Sequence, residues 1–150
     1  MPRHTRYEGV IVQDDKILLI RHLHHDSGRT YWLFPGGGKE TGETEEDCLR
    51  REMMEETNLV VQLDRLLLDQ DTEPDAEYVR RKMFLCHPQS GTASPGYEPE
   101  LEAAAEYAIA EVRWFDLREP AQWDPLLVSD ELTYPLVLQV RHELGYENLE

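Results

Sequence analysis

Cysteine occurs only twice in the 150 residues, as Cys48 and Cys86, and neither belongs to a ligand-spaced motif. That excludes a disulfide framework and a cysteine-built zinc site, and leaves two reduced thiols without chemistry of their own. No apolar run approaches the roughly 20 residues of a membrane-crossing helix. Met1-Pro2-Arg3-His4 opens onto a polar stretch without the apolar centre of an export signal. A cytoplasmic protein with no membrane partner is the expectation. Positive charge is also short, with 15 Lys and Arg against 31 Asp and Glu and a formal net charge of −16. Such a surface repels nucleic-acid backbones, so no stable nucleic-acid binding is expected. A small phosphorylated metabolite arriving with its metal remains compatible. The length suits one domain spanning residues 1–150, and neither an internal repeat nor a second boundary is evident. A homodimer is left open.

What the chain does have is an ordered acidic segment. From Gly37 follow five residues, Glu43, seven residues, Arg51-Glu52, Met53, one residue, Glu55-Glu56, one residue, Asn58 and Leu59. Thr44 is a good N-cap, Asp47 completes a box-like cap, and Glu45, Glu46 and Asp47 fill the first turn, where the helix dipole favours negative charge. The spacing predicts a helix over 45–57. On it Glu52, Glu55 and Glu56 share one stripe, while Leu49 and Met53 turn to the core. Like charges so placed oppose helix formation unless something offsets them. Mg²⁺ or Mn²⁺, which take hard oxygen ligands, would do so. A Glu-rich helix alone reads more simply as a solvated acidic face. The Gly36-Gly37-Gly38 run just upstream tips the reading towards a site, because backbone without side chains can approach a phosphate or the helix start. Arg51 and Glu55, four residues apart, make a helix ion pair.

Around this helix the pattern is mixed. Residues 9–13 and 16–21 read as strands of a hairpin about Asp14-Asp15, and 31–34 as a short strand feeding the glycines. Residues 59–68 and 78–87 read as strands joined by a polar turn over 69–76, with a long loop over 88–99. Residues 111–117 form another strand, whose alternation sends Glu111, Arg113 and Phe115 to one face and Val112 and Trp114 to the other. Leu136, Val137, Val140 and Leu144 mark a last helix, with Pro135 in its first turn and Gly145 closing it. Helices on a sheet of this order give an α+β fold. His22, His24 and His25 read as solvent-facing loop residues beside Arg21 and Arg29, either of which could touch a phosphate. Tyr31, Trp32, Tyr78 and Trp114 are either core or a platform for a base.

The Gly37 to Leu59 spacing, 23 of 150 residues, resembles the Nudix box, with Asn58 where that motif has its last glycine. Asn tolerates the left-handed backbone expected there. The resemblance implies an α/β/α sandwich with a mixed sheet and a loop-helix-loop motif. It also implies a metal-dependent hydrolase that cleaves the diphosphate of a nucleoside diphosphate linked to a further group X. Nucleoside triphosphates, ADP-ribose or nucleotide sugars, and dinucleoside polyphosphates all stay open as substrates. Glu52, Glu55 and Glu56 would be the ligands of Mg²⁺ or Mn²⁺, Arg51 a structural residue of the catalytic motif, Glu43 an orienting one, and Gly37 and Gly38 substrate contacts. Such enzymes commonly recruit a further acid from the segment between Lys82 and Arg113, where Glu98, Glu100, Glu102, Glu106 and Glu111 lie. Glu106 and Glu111 are the candidates, and the general base stays open among Glu52, Glu55 and a distal glutamate. Pro74, 15 residues past the motif, is a slight likeness to the ADP-ribose hydrolase subgroup. A non-catalytic Nudix-type sensor would show eroded acids, and here the acids are intact. A plain acidic interaction module would leave the glycines and the Arg-Glu spacing as coincidence.

Overall fold

The chain enters through a hairpin of β1 (Arg3–Gln13) and β2 (Lys16–His24). Its turn places Asp14 and Asp15 at φ 50° and 64°, the left-handed region that Asp enters more readily than most residues. The computed structural model describes residues 3–72, 77–96 and 107–146. Then come β3 (Thr30–Leu33), β4 (Gly36–Gly37), α1 (Glu45–Thr57), β5 (Val60–Asp71), β6 (Tyr78–Ser90) and β7 (Tyr107–Asp116). A 3₁₀ turn at Pro120–Gln122 leads to the short α2 (Pro125–Val128) and to α3 (Thr133–Glu143). The sheet runs β3-β2-β1-β6-β5, with β4 added on β1 and β7 on β2. Among the described residues only the β1–β6 pairing is parallel, so the sheet is mixed.

Strand alternation divides the core between two faces. On one, α1 buries Cys48, Leu49 and Met53 against Tyr7, Ile11, Leu18, Val61 and Cys86. On the other, α3 buries Leu136, Val137 and Val140 against Val10, Ile17, Leu19, Leu85 and Phe115. The sheet lies between helices, the α+β sandwich expected. Among the described residues no helix is long and apolar enough to cross a membrane.

Several boundaries differ from the sequence reading, each for a pairing reason. β5 continues to Asp71 instead of turning at 69, because Asp69, Gln70 and Asp71 stand opposite Lys82, Arg81 and Arg80. Arg80 donates to both oxygens of Asp69 at 2.7 and 2.6 Å, an opposite-charge cross-strand pair. Residues 73–76, with Pro74, lie outside the described residues. β6 likewise continues to Ser90, into the expected loop. β7 starts at Tyr107, ahead of 111, and its first residues pair with His22, Leu23 and His24, which are therefore strand and not loop. A register shift beside Arg21 interrupts the alternation there. The last helix ends as read, with Gly145 at φ 89°.

Candidate active site

Helix α1 spans the expected 45–57 and is fixed at both ends. Thr44 Oγ1 accepts from the Asp47 N–H at 3.1 Å and Asp47 Oδ2 from the Thr44 N–H at 3.3 Å, a complete capping box. At the other end Asn58 takes φ 62° and ψ 23°, and its N–H donates to Met54 O. The left-handed position is occupied by asparagine with no break in the helix.

Arg51 organises the face between these caps. Its Nε and Nη2 donate to the two Glu43 oxygens at 2.7 and 2.9 Å, and Nη2 also reaches Gly38 O at 3.0 Å. Nη1 donates to Glu52 Oε1 at 2.8 Å and to Glu55 Oε1 at 3.3 Å. The Arg51–Glu55 pair read from spacing is therefore longer than the contacts to Glu43 and Glu52, Glu40 stands further off at 3.7 Å, and Glu43 is the bidentate partner. Hydrogen bonds from Arg51 hold the Glu43 carboxyl below its usual range. The planar fork of arginine suits this task as a lysine would not.

Glu52, Glu55 and Glu56 are brought to one side of the helix, with side-chain exposures of 12% and 17% for the first two, and Glu56 is buried. The glycine strand closes over them. Gly36 N–H donates to Glu56 Oε1 at 2.6 Å, and a Cβ on Gly37 would stand 2.5 Å from Glu52 Oε1. Burial pushes the Glu52 carboxyl up to about 7 although Arg51 opposes it, and the charge of Glu55 adds to the rise. This donor set fits a hard divalent cation. It is all carboxylate oxygen, it crowds like charges, and Glu52 Oε2 has no hydrogen-bond partner among the described residues. Among those residues no three such side chains close around a common point; Arg51 holds Glu52 and Glu55, and Gly36 holds Glu56.

The other expected site residues are not gathered there. Glu111 shares the α3 face with Phe115, whereas α1 packs on the Val112 and Trp114 face. It accepts from Arg21 Nε at 3.2 Å and from Arg113 Nε at 2.8 Å, so the structure pairs this candidate further acid with two cations and not with the carboxylates of α1. Arg21 pairs with the Glu111 carboxylate through Nε and its guanidinium lies 6.0 Å from the Trp32 ring. Glu98, Glu100, Glu102 and Glu106 lie outside the described residues. Trp32 is fully buried, Tyr78 nearly so, and Trp114 packs on the α1-side core.

Tyr31 has a different setting. It lines a cavity of about 850 Å³ with Arg29, Arg81, Tyr107, Asp130 and Leu132. The His22 ring lies 5.7 Å from Tyr31 and 5.6 Å from Tyr107, and His24 packs edge-on to Tyr107. Sequence reasoning missed Arg81 and Tyr107, and with them Arg6 and Glu8. Glu8 is only 2% exposed and receives Arg6 at 3.2 Å and Arg81. The available signal was the two-residue spacing that puts Arg6 and Glu8 on the same face of β1 as apolar Val10 and Val12.

A NUDIX domain model matches residues 3–134. The chain belongs to the NUDIX family. Over 138 residues it is 26% identical to the oxidized purine nucleoside triphosphate hydrolase of Danio rerio, covering 91% of this chain and 81% of that protein. It is 29% identical over 135 residues to a human 8-oxo-dGDP phosphatase, covering 88% of this chain and 39% of that protein. A 60-residue stretch is 42% identical to an ADP-ribose pyrophosphatase of Methanocaldococcus jannaschii, covering 40% of this chain and 35% of that protein. The matched stretches thus span well under half the length of the archaeal and human relatives. Among solved structures it is similar in fold to a NUDIX hydrolase from Nitrosomonas europaea, with a TM-score of 0.71 at 21% identity over 95% of this chain and 88% of that one. A second is an ADP-ribose pyrophosphatase from Streptococcus suis, with a TM-score of 0.67 at 23% identity over 100% of this chain and 97% of that one.

Proposed function

We propose that the protein is a divalent-metal-dependent pyrophosphohydrolase that cleaves the diphosphate of a nucleoside diphosphate linked to a group X. The carrying observation is the Glu52, Glu55 and Glu56 cluster, braced by Arg51 and covered by Gly36 and Gly37. Glu52, Glu55 and Glu56 would hold Mg²⁺ or Mn²⁺. When bound, that cation supplies neutralising charge to the diphosphate and to the departing phosphate. Arg51 keeps the first two carboxylates in place and Gly36 orients the third. A water oxygen forms a new bond to phosphorus, the bridging P–O bond breaks, and the water proton passes to a carboxylate oxygen. The products are a nucleoside monophosphate and the phosphate of X.

The cavity lined by Tyr31 and Tyr107 supports a nucleoside on the α3 side of the sheet, with aromatic rings for a base and Asp130 as a polar group at its wall. Relatives named for oxidised purine nucleotides and for ADP-ribose support a purine nucleotide. A panel of nucleoside triphosphates, 8-oxo-purine nucleotides, ADP-ribose, nucleotide sugars and dinucleoside polyphosphates, assayed with Mg²⁺ or Mn²⁺ for released phosphate and monophosphate, tests the reading. Turnover of at least one class that stops in EDTA is expected. No turnover of any class, or full turnover after dialysis into EDTA, would overturn it.

A further inference from the structure

Arg6 and Arg81 are register partners on the parallel strands β1 and β6. Two cations side by side on one sheet face repel, and both sit against a nearly buried carboxylate, Glu8. Glu8 offsets one of the two charges, which leaves an excess of one positive charge in a chain whose net charge is −16. Arg6 is largely consumed by the fold, with Nε on Glu8 and Nη2 donating to Phe34 O at 2.9 Å, just ahead of the glycine strand. Arg81 is different. Among the described residues only its Nε is engaged, by Glu8, and its side chain lines the cavity beside Tyr31 and Tyr107. Glu8 in turn pairs in register with Gly36, whose N–H holds Glu56. A continuous set of contacts therefore runs from the carboxylates of α1, through Gly36 and Glu8, to a guanidinium that faces the cavity.

We propose that Arg81, aimed by the buried Glu8, binds a phosphate of the substrate between the nucleoside cavity and the carboxylates of α1. This rests on the pyrophosphohydrolase reading and deepens it. The ligand chemistry is a phosphate monoester or diphosphate attached to a nucleoside, since a guanidinium offers two parallel donors to phosphate oxygens and the adjoining rings offer a surface for a base. Glu8 is a positioning residue. Without its charge the two neighbouring guanidinium groups repel, and Arg81 has no reason to keep its direction.

The test is calorimetric binding in EDTA of AMP and GMP compared with adenosine and guanosine, on the parent and on Arg81→Met and Arg81→Lys. In the parent the monophosphates bind about tenfold more tightly than the nucleosides, the gain from a charged hydrogen bond to phosphate. Arg81→Met removes that gain and leaves nucleoside affinity unchanged, and Arg81→Lys restores part of it. With a hydrolysed substrate, Arg81→Met raises KM about tenfold with kcat within about threefold. Glu8→Gln, where circular dichroism shows it folded, reproduces the loss of the phosphate gain. The proposal is overturned if the parent shows no preference for monophosphates, if Arg81→Met keeps that preference, or if nucleoside affinity falls equally. A chain that hydrolyses nothing yet shows the Arg81-dependent preference would contradict the hydrolase reading while leaving this binding role in place.

Discussion

Gly37 and Glu52 occupy each other's space: a β-carbon on the glycine would lie 2.5 Å from Glu52 Oε1 and 2.7 Å from the carboxyl carbon. Gly37 sits in β4, opposite Tyr7, outside the positive-φ positions, so alanine there carries no backbone penalty. Gly37→Ala is a clean displacement of one carboxylate. It is expected to lower kcat by something between about tenfold and a hundredfold, as misplacement of a reacting group by an ångström does. The thermal midpoint should fall only a few degrees. Activity within twofold of the parent would show that the Glu52 position is not demanding.

Asn58 and the loop after β6 supply a second test. The Asn58 Nδ2 donates to Ser94 O, Ser94 Oγ and Pro95 O at 3.2, 2.9 and 3.2 Å. Ser94 N and Gly96 N donate to the last carbonyls of the helix, Thr57 O and Glu56 O. Asn58→Gly keeps the left-handed backbone and removes the side-chain tie, whereas Asn58→Ala removes both. The Ala variant is expected to lose about 1–2 kcal/mol more stability than the Gly variant in urea. Hydrogen exchange at Ser94 and Gly96 should quicken in both. Equal stability of the two variants would contradict the role assigned to the left-handed cap.

His22 makes acid stability measurable. Burial, and secondly the charge of Arg6, lower its pKa to about 4 from 6.5. The ring is packed against Tyr31 and Tyr107. In the unfolded chain His22 takes up its proton first as pH falls, so its share of stability is intact above pH 6.5 and drains away towards pH 4. Denaturant titrations at pH 7 and pH 4.5 are expected to show the parent losing about 2 kcal/mol more than His22→Phe over that interval. Equal losses would mean that His22 is solvated in the folded state.

The helix of the motif was legible residue by residue, because its caps, its acidic first turn and its carboxylate stripe are local properties of residues 44–59. The hairpin was legible for the same reason, in Asp14-Asp15. The Arg6, Glu8 and Arg81 cluster was not, since it exists only through the parallel register of strands more than 70 residues apart. The side on which Glu111 falls was not legible either, because alternation gives two faces without saying which one the helix covers. Only the packing of Trp114 with Met53 and of Phe115 with Val137 decides it. The lengths of β5 and β6 likewise depend on charge pairs across strands, such as Asp69 with Arg80. Asp124 and Pro125, a cap and a first-turn proline, did announce the short α2 locally, and that signal went unread.

The most direct measurement is the rate of Glu56→Gln beside the parent, on whichever nucleoside diphosphate derivative the parent hydrolyses, at saturating Mg²⁺ or Mn²⁺. The substitution keeps an acceptor for the Gly36 N–H and deletes the charge. It is expected to reduce kcat about a hundredfold or more with the fold intact by circular dichroism. A folded variant within about threefold of the parent would contradict the placement of hydrolysis at these carboxylates.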